Sequence, residues 1–443
     1  MWAVLSTLGI RWVEYGMISR HAVNRLTLAV LIAAAAAAAR SAGRSGEARA
    51  TESPVTADTT PSRVSLGITT LLTDSLHLVR GKRVGLITNH TGRDGHGTST
   101  IDLLHRAPEV RLTALFSPEH GIRGAAEAGE RIASSTDSAT GVPIHSLYGE
   151  TRVPSPGMLE NVDLLLYDIQ DVGARMYTYV WTMTLAAEAA KRAGKKLIVL
   201  DRPNPIRADV IEGGFIAQRY RSFTGLHDVT LRYGLTPGEL ALYLVGTKQI
   251  DADITVAPMK GYRLSMWWEE TGLEWRNPSP NIRDVDAALL YPGTVFFEAT
   301  NLSEGRGTEA PFRLIGAPWL TDAGAIARAL NEKRLPGVRF DSTSRTIGAG
   351  QKHAGRTIPM IQLTVTARDS VRAADVGAHM LREIHRRHQN DWQWREQGIE
   401  RLSGSRDLRA AVETGGIEPL LARWRAESTR FEALIAPYRL YPR

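Results

Sequence analysis

Glu119 stands in the segment Ser117-Pro118-Glu119-His120-Gly121, directly after an apolar run, with proline restricting the backbone before it. A carboxyl group held there among apolar walls keeps its proton to higher pH than a solvated one and can act as a general acid. The same spacing also allows a plain ion pair with Arg123. His120 can tune Glu119, bind a ligand or serve as a structural histidine. A second polar segment runs Asp168-Ile169-Gln170-Asp171-Val172-Gly173-Ala174-Arg175-Met176-Tyr177. Its two carboxylates, Asp168 and Asp171, suit hydrogen bonds to a ligand, ordering of the loop or polarisation of a reacting group. Asn89, in Asn89-His90-Thr91-Gly92, and Asp201, Arg202 and Asn204, in Asp201-Arg202-Pro203-Asn204-Pro205, occupy similar positions after apolar runs. A long stretch without clean periodicity, Lys260 to Leu320, adds Asn281, Glu304 and Arg306. Irregular segments of that length are usually functional. Together with Trp267, Trp268 and Trp275, these carboxylates, amides and guanidinium groups suit sugar recognition, aromatic faces packing on pyranose rings while polar groups bridge hydroxyls. The competing fate of the three tryptophans is the core.

Other chemistries lack their residues. The loop after the first apolar run, Thr88 to Gly97, has neither the G-x-G-x-x-G of a dinucleotide site nor the Lys-Ser/Thr of a phosphate loop. His90, His96, His105, His120 and His145 are scattered, without H-E-x-x-H or a tight pair, so no metal and no cofactor is expected. The absence of cysteine excludes disulfides, thiolate ligands and a thiol nucleophile.

The elements that must position these groups alternate. Arg83–Thr88, Arg111–Phe116, Ile144–Leu147, Asp163–Tyr167 and Lys196–Leu200 are short apolar runs predicted as strands. Thr98–Arg106 and the alanine-rich Thr178–Ala193, stopped by Gly194, are predicted as helices. Alternation of this kind specifies an α/β fold with a Rossmann-like, doubly wound parallel sheet. Ligands of such sheets sit beyond the carboxyl ends of the strands, where the polar segments fall. Further on, Thr236-Pro237-Gly238-Glu239 reads as a capping box opening a helix that ends near Val245. Asp253–Ala257 and Thr357–Thr366 read as strands. Thr321–Lys333, Ser370–His388 and Ile417–Arg425 read as helices, giving a second, smaller mixed α/β part.

GLITNHTG at 85–92, LFSPEHGIRG at 115–124, PIHSLYG at 143–149, DLLLYDIQDVGARMYTY at 163–179 and LDRPNP at 200–205 resemble the exo-β-N-acetylmuramidase family. The later NPSPNI, LYPGTVFFEATNLSEGRGTEAPF and IGAPWL resemble it too, and the match is collinear from about residue 64 onward. The resemblance implies a bacterial peptidoglycan hexosaminidase that releases N-acetylmuramic acid from the non-reducing end of cell-wall fragments. It implies a Rossmann-like domain (64–225), an auxiliary domain (226–443), an active site between them, and a catalytic Glu119. Only the stretch from Arg219 to Tyr233 departs from the family's pattern. Asp168 and Asp171 become candidates for polarising the substrate's acetamido group. Arg123, Arg175, Arg202 and Arg306 become candidates for reading the lactyl carboxylate, since arginine pairs with carboxylates in bidentate fashion. Asn89, His120, Gln170, Tyr177, Asp201, Asn204, Asn281 and Glu304 complete the expected substrate contacts. A non-catalytic wall-binding protein, or a hydrolase of another amino sugar, would use the same pocket.

The formal charge of +7 over 443 residues is concentrated at the N-terminus: residues 1–50 hold six Arg and two Glu. The rest is nearly balanced and lacks a basic run, so no nucleic-acid partner is expected. Arg20 and Arg25 precede the apolar stretch Leu26 to Ala39, which small residues follow. That is the layout of an export signal, 1–50 with its leader, followed by a disordered linker to residue 63. Export to the periplasm or outside the cell, with no membrane span after processing, is the expectation; a retained anchor is the competing reading. No feature of the sequence specifies an oligomeric state.

Overall fold

The central strand-forming runs are short, apolar and bounded by polar turn residues, and they are buried within one large sheet. In the computed structural model, which describes residues 63–123, 130, 133–396 and 398–443, that sheet has seven strands. They are β1 (Arg83–Thr88), β2 (Arg111–Ser117), β3 (Ser135–Thr136), β4 (Pro143–Ser146), β5 (Leu164–Asp168), β6 (Lys196–Leu200) and β7 (Ile254–Ala257), in the order β3-β4-β2-β1-β5-β6-β7. All neighbours pair parallel except β3 with β4. The expected export signal and leader, and all of the linker but Arg63, lie outside the described residues.

Side chains alternate across the sheet with the period of two that strands impose. Ile87, Phe116, Leu165, Tyr167 and Val199 belong to one core cluster. Val84, Leu86, Leu115, Leu166 and Ile198 belong to another. Order reverses between β1 and β5, where Thr88 Oγ1 donates to Asp168 O at 2.8 Å and Gln170 N donates to Thr91 Oγ1 at 2.9 Å. This is the switch-point crevice of a doubly wound sheet. The last strand, β7, comes from beyond residue 225.

The smaller sheet is antiparallel, in the order β8 (Leu314–Gly316), β10 (Thr357–Val365), β9 (Val338–Thr346). Two helices beside it cross closely, Val285–Thr294 and Ala373–Arg387. A Cβ at Gly293 would lie 1.8 Å from Ala373 O, so only glycine permits the crossing. The capping box is formed: Thr236 Oγ1 accepts from Glu239 N at 3.2 Å, and Glu239 Oε2 accepts from Thr236 N at 3.1 Å. Among the described residues no helix is long and apolar enough to cross a membrane.

Candidate active site

Glu119 lies just past β2, in a turn closed by Gly121 N donating to Pro118 O at 3.1 Å. The next residue, His120, has φ of 67° and is buried. A side chain in the left-handed region is strained, and such strain gathers at functional sites. Thr178, which precedes the helix Tyr179–Arg192, donates from Oγ1 to Glu119 Oε2 at 2.5 Å. The Tyr148 hydroxyl also hydrogen-bonds Glu119, and burial followed by the nearby carboxylate pushes that phenol up to about 12. Tyr148 therefore stays protonated and remains a donor throughout the working range of a protein.

These groups open on a cavity of about 340 Å³. His120, Tyr177 and Tyr179 line it from the large sheet's side, and the two tyrosine rings meet edge to face at 5.0 Å. Ser222, Phe223 and Thr224 contribute from one loop, Ser279 and Ile282 from another. Tyr291, Phe312, Glu298 and Arg306 form the remaining wall with Arg401. Arg306 binds Glu298 at 2.6 Å and Glu304 at 3.1 Å, and Lys352 binds Glu304 at 2.9 Å. Burial raises the Glu298 carboxyl above its ordinary range despite Arg306.

Of the residues expected from sequence, Glu119, His120, Tyr177 and Arg306 meet in this cavity. Glu304 supports it through Arg306, and Asn281 is buried between the lining residues. The others are used elsewhere. Asp168 accepts from Arg202 Nε at 2.5 Å and from the Thr100 hydroxyl, so neither it nor Arg202 faces the cavity. Asp171 accepts from Gly173 N at 2.7 Å and from the Tyr233 hydroxyl; burial raises its carboxyl to about 7. Asn89 folds its own loop, Oδ1 accepting from Thr91 N at 2.9 Å and Thr91 Oγ1 at 2.6 Å.

Arg175 is fully buried on three carbonyls, Gly214 O and Val229 O at 2.9 Å and Leu402 O at 3.1 Å. It thereby ties down the loop carrying Ser222 to Thr224 instead of meeting solvent or substrate. Asp201 is enclosed at the start of the helix Pro237–Gly246, accepting from Gly238 N at 2.8 Å, Thr236 Oγ1 at 2.7 Å and Tyr441 OH at 2.6 Å. Asn204 bonds Leu235 O at 3.0 Å and fills the space where a Cβ on Gly173 (φ 79°) would stand, 2.5 Å from its amide oxygen. Arg123 is largely exposed and pairs with Asp137 at 3.2 Å.

Gln170 donates to Asp171 O at 2.9 Å and Pro203 O at 2.7 Å and borders a different cavity, of about 240 Å³, with Thr91, Arg93, Arg202, Trp268 and Arg276. None of Trp267, Trp268 and Trp275 lines the Glu119 cavity; Trp268 and Trp275 pack edge to face at 5.4 Å. Among the described residues no group of three or more His, Asp or Glu could hold a metal ion.

Sequence reasoning missed Tyr148, Arg152, Thr178, Phe223 and Glu298. Glu298 and Tyr148 sit inside segments that carry the family resemblance, which was the available signal. Phe223 lies in the stretch that departs from the family's pattern, so nothing marked it.

Comparison with known proteins identifies the family. The family models described as "Exo-beta-N-acetylmuramidase NamZ, N-terminal" and "C-terminal" match residues 84–286 and 289–441. The chain is 42% identical over 381 residues to the peptidoglycan beta-N-acetylmuramidase NamZ of Bacillus subtilis (strain 168), covering 86% of this chain and 92% of that protein. Two crystal structures of DUF1343 family proteins from Bacteroides fragilis NCTC 9343 are similar. One has a TM-score of 0.79 at 35% identity and the other 0.67 at 29%, each match covering 86% of this chain and 99% of the other. The chain belongs to the exo-β-N-acetylmuramidase NamZ family.

Proposed function

We propose that this protein is a glycoside hydrolase that removes N-acetylmuramic acid from the non-reducing end of peptidoglycan fragments, with Glu119 as proton donor. The observation that carries the reading is the position of Glu119 on a cavity of about 340 Å³. That volume lies at the lower end of the range for small-molecule sites and suits a terminal sugar better than a polymer threaded through a groove. The curated relative from Bacillus subtilis, which carries the same activity in its name, supports it.

Bond cleavage expels a sugar oxygen, a poor leaving group unless protonated as it departs. Glu119 supplies the proton. The hydroxyls of Thr178 and Tyr148 then hold the carboxylate that remains, since donated hydrogen bonds favour the charged form. Glu298, paired with Arg306, is the second carboxylate on the cavity wall and takes the place expected of Asp168 and Asp171. The anomeric carbon exchanges its bond to the departing oxygen for one to a water oxygen, that water's proton passing to a carboxylate of the site, while the rings of Tyr177, Tyr291 and Phe312 keep further water away.

Arg20, Arg25 and the apolar stretch from Leu26 support export, which would bring the enzyme to wall fragments. The test is incubation with a chromogenic N-acetylmuramic acid glycoside beside its N-acetylglucosamine analogue. Preferred release from the muramyl substrate is expected. Tight binding of muramyl sugars without turnover would instead establish a wall-binding protein.

A further inference from the structure

We infer that Arg152 reads the lactyl carboxylate of the substrate and sets the preference for muramyl over glucosaminyl sugars. The inference rests on the proposed substrate, whose lactyl ether carries the charge that distinguishes it from N-acetylglucosamine. Such an anion needs a cation at the cavity, and the arginines lining it are Arg152, Arg306 and Arg401. Arg306 is already neutralised by Glu298 and Glu304. Arg152 makes no ion pair with any carboxylate among the described residues. Its guanidinium carbon lies 4.2 Å from the Phe223 ring centroid and 5.4 Å from that of Tyr148.

Stacking of this kind holds a guanidinium flat; one N–H goes to the Tyr148 hydroxyl, and the remaining in-plane N–H groups are left for a carboxylate. The backbone beneath it is fixed as well: Thr151 Oγ1 accepts from Val153 N at 3.0 Å and donates to Val153 O at 2.8 Å. Less side-chain entropy is then lost on binding. Position ties Arg152 to the proton donor. The Tyr148 hydroxyl hydrogen-bonds both Glu119 and Arg152, whose guanidinium carbon lies 5.4 Å from the ring centroid, so one phenol joins the proton donor to the cation. The anomeric oxygen and the O3 substituent of a pyranose are likewise separated by one ring. Phe223 completes the stack from the stretch that departs from the family's sequence pattern.

The test compares three chromogenic substrates: the N-acetylmuramic acid glycoside, its lactyl methyl ester and the N-acetylglucosamine glycoside, with kcat and KM measured separately. For Arg152→Met the KM of the muramyl acid should rise roughly 10- to 100-fold, the worth of a charge-assisted contact. The acid-to-ester and muramyl-to-glucosaminyl ratios of kcat/KM should fall together. Arg152→Lys, which keeps charge but loses the fork, should fall between, and thermal melting checks that both variants are folded. A folded Arg152→Met protein that retains the wild-type ratios would overturn the inference while leaving the glycosidase intact. Wild-type protein that cleaves no muramyl glycoside would overturn the substrate reading and this inference with it.

Discussion

Replacing Glu119 with glutamine removes the transferable proton while keeping the shape of the side chain. The amide oxygen can still accept from Thr178 Oγ1, which lies 2.5 Å from the native carboxylate, so the substituted side chain stays anchored. Substrate binding should therefore persist, and the damage should fall on kcat. Positioned acid–base assistance is worth about 10²–10⁴-fold, or roughly 3–5 kcal/mol of barrier. Where a substrate falls in that range depends on its leaving group. A sugar alkoxide needs the proton fully, so the loss on a natural muramyl disaccharide should reach the upper end. A nitrophenolate needs little protonation, so the chromogenic glycoside should lose far less. Both are read as kcat at saturating substrate, the disaccharide by reducing-sugar release. An equal loss on the two substrates would refute the assignment of Glu119 as proton donor, and Glu298 would become the residue to test.

Thr178→Val removes the hydrogen bond to Glu119 without changing shape and should lower kcat by roughly 10- to 100-fold with little change in KM; Thr178→Ser should restore most of it, and a serine variant as poor as valine would contradict the role of the hydroxyl. Asp171→Asn tests the buried carboxylate. Its folded value of about 7 lies above the ordinary 3.8, so its contribution to stability is complete below about pH 3.8 and lost as pH rises through about 7. The asparagine variant should therefore gain on wild type between those limits, by no more than about 4 kcal/mol, and level off above them; a melting-temperature difference independent of pH would count against this account. Arg175→Met should cost roughly 3–5 kcal/mol in urea unfolding, because Gly214, Val229 and Leu402 lose a buried donor. A neutral result would mean that those carbonyls find other partners.

The large sheet was legible because its strands are apolar and nearly uninterrupted. Arg83–Thr88 and Lys196–Leu200 are seen with the bounds read from sequence, the other strands read shift by a residue, and the two-residue polar, exposed β3 was not read. The helix Val285–Thr294 was not legible: nearly all its residues are buried, so no polar face gives it a period, and Pro292 lies within it. Val338–Thr346 escaped notice for the opposite reason, since most of its residues are exposed or half-buried and polar. The helix beginning at Ile417 runs to Ile435, ten residues beyond its expected end, through a charged stretch. In the site, position after a strand identified Glu119 but overcounted its companions. Asp168, Asp171, Asp201, Arg202 and Asn204 also follow strands, yet they brace one another and the backbone. Residue type and spacing do not separate a polar group that faces a cavity from one that closes a crevice; burial and partners do.

Tyr441 bonds Asp201 across 240 residues of sequence, accepts from Met259 N at 3.0 Å and packs edge to face on Tyr262 at 5.2 Å. Leu264 N donates to Pro442 O at 2.8 Å beside it. The carboxyl end of β6 is thus closed by residues about 240 positions further along the chain. Contacts so distant in sequence form late, after the loop-closure entropy has been met, and they slow folding. A chain cut before residue 441 would leave the Asp201 carboxylate short of a donor and the sheet edge uncovered. The segments matched by the two family models therefore behave as one cooperative unit, and expressing 84–286 alone should yield an incompletely folded, aggregation-prone product. For anyone preparing the enzyme, Tyr441 closes the sheet as firmly as any strand within it.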